Sequence, residues 1–170
     1  MATSKEFFTT EQVVELLGLK PKDKWRIIKF VEGKEYGIEP AMVMGKGLGS
    51  RRLYNLENVC EIAVALALLE AGLRPAVIGD ALARLPRMAD YLKEPAHSLY
   101  IVMALERQFG RLLSKSRLMT IDITTVAYSP DAVGEEFRSM TTGEFAVLYV
   151  PIGFLFSGIK QRLEQMRASE

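Results

Sequence analysis

"GKGLGSRRLY", residues 45–54, sets three glycines at alternate positions ahead of two arginines and a tyrosine. Two architectures use such a run. One is a loop between a strand and a helix that cradles phosphates, and the other is the tip of a β-hairpin. A phosphate-binding P-loop requires Ser or Thr directly after its lysine, and here Lys46 is followed by Gly47. A dinucleotide fingerprint requires a third glycine where Ser50 stands, and then a helix inside a βαβ unit. The residues that follow, Arg52-Leu53-Tyr54, are strand-like, and Ala41-Met42-Val43-Met44 upstream offers the opposing strand. The pattern predicts a hairpin.

Working outward, the chain before the hairpin is helical. Thr9 with Gln12 forms a capping box, Phe8 can staple onto Val13, and Gly18 ends the helix, predicting Thr10–Leu17. Pro21 then opens a second helix running to Gly33. Its buried face is expected to be Trp25, Ile28 and Val31 or Phe30, leaving Lys22, Lys24, Arg26 and Lys29 outside. Lys20 is a weak N-cap for it. After the hairpin, Val59, Ile62, Ala63, Leu66 and Leu69 mark one face of a third helix from Leu56, closed by Gly72. Pro75 opens a fourth, with Val77, Ile78, Ala81, Leu82 and Leu85 sharing a face.

Pro86 and Pro95 bracket a polar, aperiodic stretch, read as the boundary between two parts. Beyond it, Leu99–Met103 suits a strand, and its continuation through Phe109 and Leu112 also suits a helix. Leu118–Tyr128 alternates as a strand, Phe145–Ile152 reads as a buried strand, and Gly158–Arg167 as a closing helix with Ile159, Leu163 and Met166 inward. The expected class is α+β. Residues 5–86 form a first domain of four helices with a hairpin, and 97–170 a smaller α+β module.

The chain of 170 residues is 49% apolar and 25% charged, an ordinary globular composition. No apolar run is long enough to span a bilayer, and the N-terminus lacks a signal core, which predicts a cytoplasmic protein. Cys60 is the one cysteine, so neither an internal disulfide nor a thiolate metal cluster is available. His97, the sole histidine, stands beside a proline without a catalytic partner. No metal-ligand cluster, cofactor fingerprint or nucleophile–base pair emerges, so neither a cofactor nor an enzymatic activity is expected. Net charge is only +1, yet from Lys20 to Arg52 nine basic residues face four acidic ones. A local excess of this kind is what phosphate contact requires.

The ordered set "TTEQVVELLGLKPKDKWRIIKFVE", the glycine-rich interval and "RRLYNLENVCEIAVALALLEAGLRPAVIGDAL" resembles the DNA-binding domain of the MerR-like winged helix-turn-helix family over Phe7–Leu85. Arg52-Leu53-Tyr54 takes the place of the family's Arg-x-Tyr on the returning wing strand, Asn58-Val59 that of Asp-Leu, and Ala71-Gly72-Leu73 that of the step into the fourth helix. The resemblance implies a transcriptional regulator that binds double-stranded DNA as a homodimer. Lys22, Lys24, Arg26 and Lys29 would face the major groove, with Arg26 foremost for bidentate pairing to guanine. Lys46, Arg51, Arg52 and the Tyr54 hydroxyl would contact the backbone from the wing. The C-terminal module would serve dimerisation or small-molecule effector binding. Two other uses of the same fold stand beside this one: a protein-interaction module and an excisionase-like recombination accessory factor.

Overall fold

The computed structural model describes residues 6–45, 50–95, 98–108, 111–120 and 145–169. Among these the protein is mixed α+β, with five α-helices and two antiparallel sheets. Helix α1, Thr10–Leu16, begins as its sequence dictates: Thr9 accepts from the Gln12 N–H, and the Gln12 side chain accepts from the Thr9 N–H at 2.8 Å. Its end is a Schellman turn. Gly18 takes φ +66°, its N–H donates to the Glu15 carbonyl, and Leu19 donates to Val14, both at 2.9 Å.

A single 3-10 turn, Pro21–Asp23, leads into helix α2, Lys24–Glu32. The chain then turns through Gly37 at φ +67° and enters strand β1, Met42–Met44, which pairs with strand β2, Arg51–Leu53. The register Met42↔Leu53, Val43↔Arg52 and Met44↔Arg51 makes the expected hairpin. Its tip residues 46–49 lie outside the described residues, and Lys46 with them.

Helix α3, Leu56–Glu70, is the axis of the fold. It opens on a reciprocal cap between Asn55 and Asn58 and closes with the same Schellman geometry as α1, Gly72 at φ +86°. Buried residues from Val59 to Leu68 surround it on almost every side, so neighbours pack all around it. Helix α4, Pro75–Leu82, lays Val77, Ile78 and Ala81 into the core.

The stretch between Pro86 and Pro95, expected as a boundary between two parts, packs against α3. Met88–Leu92 forms a 3-10 helix whose Met88 and Leu92 are buried, and the Glu57 carboxylate of α3 accepts from the N–H groups of Met88 and Ala89, each at 2.8 Å. Strands β3 (Leu99–Gln108), β4 (Arg111–Thr120) and β5 (Phe145–Pro151) form an antiparallel sheet in the order β4-β3-β5. Leu99–Met103 is therefore strand, and the expected strand at 118–128 is described only to Thr120, as the end of β4. Helix α5, Gly153–Ser169, is longer than the periodicity of Ile159 and Leu163 suggested. Leu99, Ile101 and Met103 of the sheet and Phe156, Ile159 and Leu163 of α5 join the helices of the N-terminal part in one hydrophobic cluster. Arg162 of α5 donates to the carbonyl of Leu16 at 3.1 Å, satisfying an end carbonyl of α1 that has no partner within its own helix.

Candidate nucleic-acid interface

Helix α2 supplies the first side of the site, and its rotation decides which side chains are available. Ile27 and Phe30 are buried, with Val31 packed beside them. At 100° per residue, that places Trp25 and Lys29 at the opposite pole, Lys24 and Ile28 on one flank and Arg26 on the other. Trp25 was expected in the core and is 54% exposed, with the Lys29 ammonium 4.8 Å above its ring. Ile27, Phe30 and Val31 supply the buried face of α2 in place of Trp25, Ile28 and Val31, and the helix is entered through the 3-10 turn at Pro21–Asp23.

Arg26 is turned away from the hairpin as a result. Its guanidinium lies 3.9 Å from the Glu70 carboxylate at the far end of α3. Lys22 is exposed in the 3-10 turn, and Lys29 at the outer pole.

The hairpin supplies the second side. Lys24 and Ile28 of α2, Thr9, Thr10 and Glu11 at the start of α1, and Ser50, Arg51, Arg52 and Leu53 line one open cleft of about 430 Å³. Lys24, Arg51 and Arg52, drawn from two elements, thus border a common space. The isolated bridge between Phe8 and Tyr54 fixes this geometry, since reciprocal N–H to carbonyl bonds of 2.8 and 2.9 Å tie the strand end to the residue before the α1 cap.

Tyr54 itself leaves the candidate set. It is 0% exposed and among the largest fully enclosed side chains. The ring was expected to offer its hydroxyl to a phosphate. The backbone bridge to Phe8 instead directs it inward, where it packs with Phe8 in the core cluster.

An ion pair shapes the electrostatics of the cleft. Lys24 Nζ pairs with Glu11, and the hydrogen bond from Lys24 holds the Glu11 carboxyl below its ordinary range. Beneath the hairpin, Asn58 is the one buried polar residue among those described, and its role was not visible in the sequence. Its side-chain amide donates to the Glu39 carbonyl at 2.9 Å and to Glu61 at 3.0 Å, linking the approach to β1 onto α3. Burial raises the Glu61 carboxyl above its usual range against the lowering effect of Asn58. Burial also pushes the Cys60 thiol well up, as befits a small core residue.

Among the described residues, no group of three acidic, cysteine or histidine side chains could hold a metal ion, and no helix is long and apolar enough to cross a membrane. His97 lies outside the described residues. No known protein family matches the chain, and no curated protein is significantly similar to it.

Proposed function

We propose that the N-terminal part of the chain is a MerR-like winged helix-turn-helix domain, and that the protein is a cytoplasmic, homodimeric transcriptional regulator binding double-stranded DNA. In this reading α1, the glycine turn at Gly18 and α2 are the helix-turn-helix, and β1–β2 is the wing. The observation that supports it most is the shared cleft, where Lys24 from the helix and Arg51 and Arg52 from the hairpin border one space. Cations from two elements bordering a concave surface, with Thr9, Thr10 and Ser50 hydroxyls between them, suit a phosphate backbone.

The rotation of α2 changes which residues would read bases. The outer pole, Trp25 with Lys29 above it, is the part of the helix that would enter the major groove. An apolar ring there can meet a thymine methyl, while Lys22 and Lys29 hold the phosphates on either side. Arg26, beside Glu70, has no place in that contact. The C-terminal sheet and α5 would serve dimerisation or effector binding. Two copies then place their helices on half-sites about 34 Å apart.

Titration of a pool of duplex fragments against rising salt tests the reading. Contact with about three to five phosphates per protomer gives a log–log slope of roughly −3 to −4.5. Arg51→Ala and Arg52→Ala should each flatten it. Affinity for duplex no greater than for an unrelated acidic polymer would remove the regulator function.

A further inference from the structure

Among the described residues, one carboxylate lines the cationic cleft. Glu11, from the first turn of α1, pairs with Lys24, while the other polar lining groups are the Thr9, Thr10 and Ser50 hydroxyls and the Arg51 and Arg52 guanidiniums. Such a donor set is chemically suited to a phosphoryl group, whose oxygens accept from ammonium, guanidinium and hydroxyl alike. A carboxylate on the ammonium makes the same kind of charge-assisted bond that a phosphate oxygen would make. Both partners are well exposed, 43% for Lys24 and 65% for Glu11, so the pair is held weakly and can be exchanged.

We propose that Glu11 is a built-in counter-ion occupying the Lys24 limb of a phosphate seat in this cleft, and that a phosphate-bearing ligand enters by displacing it. No bond is made or broken in the exchange. The Glu11 carboxylate swings into solvent, and a phosphate oxygen takes its place on Lys24 Nζ. The wild-type protein therefore binds phosphate only by giving up the Lys24–Glu11 pair. That the phosphate belongs to duplex DNA rests on the function proposed above, whereas the seat itself does not.

The test uses the full chain as wild type, Glu11→Gln, Glu15→Gln, Lys24→Ala and the Glu11→Gln/Lys24→Ala double variant. Inorganic pyrophosphate is titrated while the amide resonances of Thr10, Glu11 and Ser50–Leu53 are followed. A short duplex is titrated in parallel at several salt concentrations. Glu15 lies on α1 but lines a different hollow, with Gly18 and Arg162, so its variant removes the same charge outside the cleft. Glu11→Gln should bind pyrophosphate about three- to tenfold more tightly. Its duplex affinity should rise by a similar factor at an unchanged slope, because Lys24 meets a phosphate in both proteins once Glu11 has moved. Glu15→Gln should change neither by more than about twofold, and the gain should vanish when Lys24 is also removed.

Equal gains in Glu11→Gln and Glu15→Gln, or a gain that survives loss of Lys24, overturn the proposal. The two readings fail separately. Pyrophosphate binding that tightens through Lys24, with no duplex binding in any variant, keeps the seat and removes the regulator. Duplex binding that is insensitive to Glu11 keeps the regulator and removes the seat.

Discussion

The carbonyl oxygen of Glu35 lies 2.0 Å from where a Cβ on Gly79 would stand. The segment that leaves α2 thus crosses α4 at the one residue lacking a side chain, and Tyr36, next in the chain, packs edge-on against Phe30 at 4.7 Å. Gly79 is helical, so its value is close approach and not conformational freedom. Gly79→Ala gains about 1 kcal/mol of helix propensity. It must also push a backbone segment aside, an overpacking penalty of about 1–3 kcal/mol or more. The second effect wins. The variant should melt several degrees below wild type, and the shifts should spread into Tyr36 and Phe30. An unchanged or raised melting temperature would contradict the crossing.

Glu57 ties the stretch after α4 to α3. Its carboxylate accepts from Met88 and Ala89 at the start of the 3-10 helix, with Arg87 Nε 3.8 Å away. Charge-assisted hydrogen bonds of this type contribute about 1.5–3 kcal/mol. Glu57→Ala should destabilise by about that amount and raise amide exchange at Met88 and Ala89 far more than in the middle of α3. Uniform exchange throughout would show that the carboxylate does not hold this segment.

Glu61 gives the stability a pH dependence of defined sign. Its carboxyl is raised by burial in the folded state, so folding favours the protonated form. The stability linked to this group is fully present below its unfolded value and is lost as pH rises through the folded one. Glu61→Gln removes that loss and still lets Asn58 donate to a side-chain oxygen. Urea titrations should find the variant more stable than wild type at pH 7, with the difference shrinking near pH 4. A variant weaker at both pH values would show that the charged form is the one the fold selects.

The start and end of α1, the hairpin, the proline that opens α4 and the strand before α5 were legible because local chemistry determines each. Thr9 needs only Gln12 to cap, and Gly18 needs only its own backbone to turn. The phase of α2 was not legible. In nine residues, Trp25-Ile28-Val31 and Ile27-Phe30-Val31 are rival apolar faces, and the choice is made by tertiary packing that sequence periodicity does not register. Tyr54 misled for a related reason. Burial deepens along β2 from exposed Arg51 to enclosed Tyr54, whose partner is Phe8, far upstream, and that bridge turns the ring inward. The segment at Pro86–Pro95 looked like a polar spacer because the bonds from Met88 and Ala89 to the Glu57 carboxylate leave no hydrophobic pattern, and the two side chains it buries, Met88 and Leu92, are too few to show one.

Arg26, Arg51 and Tyr54 separate binding from folding. Arg51 borders the cleft, Arg26 sits on the other flank of α2 beside Glu70, and Tyr54 is enclosed. Arg51→Ala should leave the melting temperature near wild type, lower duplex affinity about five- to tenfold at 0.1 M salt and reduce the slope by about 0.9. Arg26→Ala should change affinity by less than about threefold, because an arginine engaged near Glu70 contributes little to a surface on the opposite flank. Tyr54→Ala empties a large core site, a loss of about 3–5 kcal/mol, so any weakening of binding should track the unfolded fraction. Circular dichroism melts run beside anisotropy titrations check all three. An Arg26→Ala variant as impaired as Arg51→Ala, with its fold intact, would mean that DNA approaches α2 from the flank facing α3, and the cleft would then lose its claim to the phosphate backbone.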